Sequence, residues 1–299
     1  MAEQRVFAVS EAPIGWRDYL ILCKPNVVLV MLITAAVGMF VAVPSLPDPV
    51  KVIVGLIGIG MAAASAAAVN HVMDRRIDEK MARTKGRPLP QGRLTAAQAL
   101  TFSAIVGTVG ISLLVIWVNP LTAWLTLASL VGYALVYTVW LKRATPQNIV
   151  IGGIAGAAPP MLGWTAVTGS LDANSLLLML IIFAWTPPHF WALCIARKQD
   201  YAKAGIPMLP VTHGDDYTRL QIVLYTLLMV ATTALPFLSG MSGYLYLLLV
   251  VVLNLRFMQW ALRVYNAVPG APMAMFRYSI TYIMLLFCVI LIDHYLIIS

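Results

Sequence analysis

From Arg93 to Lys142 the chain carries no charge, and Asn119-Pro120 divides that stretch into two segments, each near the roughly 20 residues needed to cross a bilayer as a helix. Buried backbone must satisfy its own hydrogen bonds in hydrocarbon, so uninterrupted apolar runs of this length read as membrane-spanning helices. The same scan along the 299 residues gives spans near 22–43, 52–71, 95–117, 121–141, 148–168, 174–195, 219–239, 243–263 and 276–297. The last is the shortest run, bounded by Arg277 and Asp293. The expected fold is therefore all-α: a polytopic membrane protein of about nine transmembrane helices in one bundle, residues 1–299 forming a single integral-membrane domain with 1–20 as an N-terminal segment outside the hydrocarbon.

The charges fix an orientation. With the N-terminus cytoplasmic, every Lys and Arg except Lys51 falls on the cytoplasmic side, as the positive-inside rule requires. The net charge of +8 is then a topological signal, and its spread along one membrane face excludes a nucleic-acid partner. Residues 1–20 carry Glu3, Glu11 and Asp18 and no apolar core, which fits neither a secretory signal nor a mitochondrial presequence. A bacterial inner membrane is the expected location, with membrane lipid as the surrounding partner. Cys23, Cys194 and Cys288 are isolated and lack metal-site spacing, so they read as packing residues.

Two inside loops hold most of the chemistry-bearing residues. The first, "NHVMDRRIDEKMARTKGRPLPQG", covers 70–92. Asn70, Asp74 and Asp78 stand at i, i+4 and i+8, which stacks three oxygen-bearing side chains on one helix face. Such a stripe suits Mg2+, a hard cation that takes one or two carboxylates and completes its shell with water and substrate phosphate. Arg83, Lys85, Arg87 and Arg93 follow, with Gly86 and Pro88 bending the chain back. Cations beside carboxylates make sense where a phosphate bridges them through a metal. The alternative is a helix end whose acids and arginines pair with each other while the remaining basics rest on lipid head groups. The run "MAAASAAAVN" leading into the stripe allows close helix packing, which would turn the acids toward the bundle, where buried charge is usually functional.

The second loop, 186–216, holds Arg197, Lys198, Asp200, Tyr201, Lys203, Asp215 and Asp216, and is a candidate second half-site. Pro187-Pro188 is expected to break or kink the sixth span before its cytoplasmic end. "GGIAGAAPP" at 152–160 lies within a span with no preceding strand, so it reads as close helix packing instead of a nucleotide loop.

Three blocks, "NHVMDRRIDEKMARTKGRPLPQG" (70–92), "YTVWLKRATPQNIVIGGIAGAAPPMLGW" (137–164) and "TPPHFWALCIARKQDYAKAGIPMLPV" (186–211), resemble the protohaem IX farnesyltransferases, or haem O synthases, of the intramembrane aromatic prenyltransferase superfamily. Asn70, Asp74 and Asp78 match the superfamily's NxxxDxxxD motif. The second DxxxD of many members is reduced here to Asp200, with Lys203 and Ala204 following, which leaves one or two Mg2+ ions open. The resemblance implies transfer of a farnesyl group from farnesyl diphosphate to a vinyl group of haem b, with water added, to give haem O for haem-copper oxidases. It also implies contact with haem A synthase or oxidase assembly factors. By this reading Asn70, Asp74, Asp78 and Asp200 hold Mg2+, and Arg83, Arg87, Lys142, Arg197 and Lys198 hold the diphosphate. Asp200 otherwise orients Lys198. Tyr133, Tyr137, Trp140 and Trp164 are candidates to wall a carbocation, and His189 or His71, with His213 behind them, to meet the haem iron. His294 lies at the other end of the bundle. Two rival readings share the features: the same diphosphate site with a small aromatic or quinone-precursor acceptor, and a transporter.

Overall fold

The structure, a computed structural model, describes residues 15–298, with side chains to residue 296. Most of the N-terminal segment 1–20 therefore lies outside the described residues. Among those described there is no strand. The chain forms helices α1 (Trp16–Leu22), α2 (Pro25–Phe40), α3 (Pro49–Asp78), α4 (Ala96–Trp117) and α5 (Pro120–Val131). A π-helical segment (Gly132–Leu141) continues α5 into α6 (Lys142–Ala144). Then come α7 (Asn148–Ala157), α8 (Pro159–Thr168), α9 (Ala173–Ala196), α10 (Lys198–Lys203), α11 (Leu209–Thr212), α12 (Gly214–Leu238), α13 (Tyr244–Tyr265) and α14 (Ala271–Ile298). Among the described residues eight apolar helical stretches are long enough to cross a membrane, and a ninth results if α1 and α2, bent by 54° at Cys23-Lys24, count as one.

Starts and stops follow local chemistry. Pro25, Pro49, Pro120 and Pro159 open helices at the first position, where no amide donor is needed. Thr95 and Asp172 cap α4 and α9 by accepting from Gln98 N and Ser175 N. The fifth span divides at Pro159-Pro160 into α7 and α8.

Small residues let backbones touch. A Cβ on Gly38 or Gly163 would overlap the carbonyl of Pro160 or Ala35 respectively, so α2 and α8 cross in backbone contact. The reading of 152–160 as a packing motif holds: Gly152 gives room to the Tyr137 ring and Gly153 packs on Thr186. Between α3 and α4, Ser65 and Ser103 donate to each other's carbonyls at 2.9 and 3.0 Å, and a Cβ on Gly58 would come within 2.9 Å of the Gly110 carbonyl.

Two expectations are corrected, and one irregularity was not foreseen. Pro187 and Pro188 do not break the sixth span: α9 runs through both, buried, with neighbours α7, α12 and α14 packed around it. Packing on several sides holds a helix whose own ladder lacks two donors. The fourth span is not regular, since it widens to π geometry over Gly132–Leu141. The ninth span is not short: α14 begins at Ala271, and Asp293 is absorbed inside it, 1% exposed, accepting from the amides of Gly243 at 2.6 Å and Tyr246 at 3.0 Å and so capping α13.

Candidate active site at the charged end of the bundle

The close α3–α4 contact turns the end of α3 inward. Asn70, Asp74 and Asp78 are 4%, 3% and 3% exposed, as the stripe reading requires. Burying two carboxylates is costly unless each finds cations and donors.

Those partners come from three directions. Lys142, in α6, reaches Asp74 Oδ2 at 2.6 Å. Arg87, in the loop that Gly86 and Pro88 bend back, reaches Asp78 Oδ2 at 2.8 Å, and Thr84 Oγ1 donates to the Asp78 carbonyl at 3.1 Å. Lys24 donates to Asn70 Oδ1 at 2.5 Å, while Asn70 Nδ2 donates to Asp74 Oδ2 at 2.9 Å and to Thr138 Oγ1 at 3.2 Å. Lys24 and Thr138 were not foreseen as site residues. Lys24 sits at the α1–α2 bend with φ 49°, a left-handed conformation uncommon for a side chain with a Cβ, and that turn carries its amine onto α3. Thr138 lies on the π segment and donates to Tyr133 O, five residues back, at 2.8 Å, the spacing of the wider helix. Arg143 donates to Met73 O at 3.0 Å, pinning the span-four end to α3. Around two carboxylates there are thus three cations, Lys24, Arg87 and Lys142.

The other predicted residues separate into groups. Arg83 is exposed in the first loop. Arg197 pairs with Asp200 at 3.8 Å and Lys198 with Asp215 at 3.0 Å, so Asp200 does not orient Lys198 as expected. These pairs form because Arg197 and Asp200 are one turn apart, while α12 opens with Asp215 facing Lys198. The second loop is therefore self-neutralised and makes no ion pair with Asp74 or Asp78. Desolvation holds the Tyr201 phenol above its ordinary pKa, keeping it a neutral donor.

Tyr133 and Tyr137 stack at 5.5 Å on the π segment, next to the network. Trp140 is 66% exposed on the outside of the bundle, and Trp164 hydrogen-bonds Asp172 at the opposite end, so neither walls this site. His71 is 1% exposed with no hydrogen bond to either ring nitrogen. His189 is buried between α9 and α14, and His213 is exposed, its Nδ1 bonded to Thr212 Oγ1 at 2.8 Å. His294 lies at the opposite end against Val43 O, beside a cavity of about 340 Å3 that also touches Trp164 and Met241. A cleft of about 260 Å3 opens at the charged end between Arg76, Lys80, Arg143 and the 204–206 turn.

Among the described residues no cluster of three or more His, Cys, Asp or Glu could by itself hold an ion. The donor set nonetheless fits Mg2+, which needs only one or two carboxylates from the protein. Asp74 Oδ1 is buried without a hydrogen-bond partner, an acceptor with nothing yet to accept from.

The sequence pattern described as the UbiA prenyltransferase family matches residues 31–289. The chain belongs to the UbiA prenyltransferase family. As a member of the UbiA family it is an integral-membrane enzyme of prenyl transfer. It is similar to a protoheme IX farnesyltransferase of Saccharophagus degradans, 59% identical over 94% of this chain and 93% of that one. A protein of the same name from Hahella chejuensis is 57% identical over 97% of both chains. Among solved structures, a digeranylgeranylglyceryl phosphate synthase superposes with a TM-score of 0.78 at 18% identity, covering 93% of this chain and 98% of that one. A UbiA homolog from Archaeoglobus fulgidus bound to DMAPP and Mg2+ gives a TM-score of 0.63 at 16% identity, over 91% and 99%. Both likenesses are of fold, and they extend the helix-bundle reading to nearly the whole chain.

Proposed function

We propose that this prenyltransferase moves a farnesyl group from farnesyl diphosphate to a vinyl group of haem b, water adding to the same vinyl and diphosphate leaving, to give haem O. The observation that carries the reading is the network of Asn70, Asp74 and Asp78 with Lys24, Lys142 and Arg87: two buried carboxylates with more cations than they need. A diphosphate entering this end takes Lys142 and Arg87 as partners, with Arg83 at the mouth and Lys24 behind. Asp74 and Asp78, with Asn70, are then free to hold Mg2+. The bound ion supplies neutralisation of the negative charge that builds on the departing diphosphate. Lys24, Lys142 and Arg87 supply the same from fixed positions, where preorganised charge is most effective. Arg197 and Lys198 reach the diphosphate only by leaving Asp200 and Asp215.

The stacked faces of Tyr133 and Tyr137 suit the allylic cation that results, and exclusion of water there protects it. Haem as acceptor is supported by the names of relatives that share well over half of their residues with this chain, with His189 or His71 as partner to the iron. The positive-inside distribution supports a site facing the cytoplasm from a bacterial inner membrane.

The test is product analysis by mass spectrometry: purified protein in detergent with haem b, farnesyl diphosphate and Mg2+, beside an EDTA control. The expected result is a haem product heavier by one farnesyl group and one hydroxyl, lost with EDTA and restored by added Mg2+. Release of diphosphate with unmodified haem would replace the acceptor and keep the donor site. Absence of both product and diphosphate release would overturn the assignment.

A further inference from the structure

His189 is held more completely than packing requires. Its ring is sandwiched between Trp185, 4.2 Å away and inclined by 20°, and Phe276, 4.7 Å away and inclined by 27°, with Phe190 edge-on at 5.3 Å. Nδ1 meets Ser279 Oγ at 2.5 Å, and Ser279 Oγ lies 2.6 Å from the Phe276 carbonyl. Trp185 Nε1 also donates to Ser279 O at 2.9 Å, locking α9 to this turn of α14.

The tautomer follows from counting hydrogens. Two oxygens 2.6 Å apart repel unless a hydrogen lies between them, and the carbonyl has none. The single hydroxyl hydrogen of Ser279 therefore points at Phe276 O, and Nδ1 must be the donor to Ser279 Oγ. A neutral imidazole protonated at Nδ1 carries its lone pair on Nε2, and no hydrogen bond occupies that atom. Ring faces and Nδ1 edge are covered, so the rim bearing Nε2 is what remains open in a residue 8% exposed. A histidine that ligates a metal has this arrangement, with its other N–H given to an outer partner that sets ring plane and tautomer. His71 has neither partner nor opening.

We propose that His189 Nε2 is an axial ligand to the iron of the acceptor haem and that Ser279 is the positioning residue that fixes its tautomer. This rests on haem being the acceptor. The experiment is a titration of the full chain in detergent with ferric haem b and no farnesyl diphosphate, followed by the Soret band and electron paramagnetic resonance. Wild type is expected to give a nitrogen-ligated spectrum. His189→Ala should lose it and regain it with added imidazole. Ser279→Ala should bind haem roughly ten- to a hundredfold more weakly, the usual cost of removing an outer partner, with the farnesyl diphosphate KM unmoved. Ser279→Thr, which keeps the hydroxyl, should bind more tightly than Ser279→Ala. A wild-type spectrum in His189→Ala, or unchanged affinity in Ser279→Ala, would overturn the proposal while leaving haem as acceptor intact. Absence of any haem binding by wild type would overturn both.

Discussion

Asp74 is the residue on which the candidate site turns, because it joins Asn70, Lys142 and an unpartnered oxygen at one buried point. Asp74→Asn keeps the shape and removes the charge, and turnover is expected to fall by at least roughly a hundredfold, the scale of losing one preorganised charge contact in a transition state. Steady-state product formation measures it, and wild-type rates would exclude Asp74 from the chemistry. Lys24→Met is expected to raise the KM for farnesyl diphosphate about tenfold, since a hydrogen bond to a charged group is worth about 1.5–3 kcal/mol. The two residues differ in how readable they were. Asn70, Asp74 and Asp78 could be picked out as one stripe by helical spacing, but Lys24 lies 46 positions from Asn70 and resembles any other lysine at a membrane edge. Only the left-handed turn at Lys24 brings the two together, and no residue type announces that turn. The rival reading of the first loop, acids paired with its own arginines, is also partly realised, in Arg87 with Asp78. On the proposed function, a pair of this kind holds the cation where a phosphate would need it.

At the level of helices, hydrophobic runs located the spans well, and irregularities within them escaped. Pro187-Pro188 and Pro159-Pro160 look alike on the page, yet α9 continues through the first pair and a helix ends at the second. Both pairs are buried against several helices, so neither burial nor a local rule separates them. The π segment is equally silent in sequence, although Thr138 and Lys142 owe their meeting with α3 to it. Gly163→Ala should be strongly disruptive, because the added methyl meets the Ala35 backbone and neither helix can yield without moving the other. A destabilisation of about 1–3 kcal/mol, or loss of the folded protein, is expected by thermal denaturation in detergent. Asp293→Ala should cost about 0.5–2 kcal/mol by uncapping α13, with activity at low temperature retained, since Asp293 lies at the end opposite the charged network.

For the molecule as a whole, apolar length and charge distribution together specified a helical membrane bundle, and that outline stands. Orientation is testable by one substitution. Lys85→Cys, introduced with Cys23, Cys194 and Cys288 replaced by Ala, should react with a membrane-impermeant maleimide in inside-out vesicles and not in intact cells. The reverse pattern would turn the bundle over. The proposed acceptor was beyond the reach of composition or spacing, because a flat aromatic ligand leaves no periodic mark on helices; that proposal rests on family likeness.

The cations already resting on Asp74 and Asp78 have a consequence for ligand order. A divalent ion arriving alone must displace Lys142 and Arg87 from their carboxylates, and a diphosphate arriving alone must pull them away and leave two acids bare. Arriving together, each removes the obstacle to the other. Thermodynamic linkage makes this synergy mutual: whatever factor diphosphate adds to metal affinity, metal adds to diphosphate affinity. Calorimetric titration of Mg2+ with and without an unreactive farnesyl diphosphate analogue should show weak binding alone and clear tightening in company. Such a gate would also keep the acids from collecting stray ions when no prenyl donor is at hand.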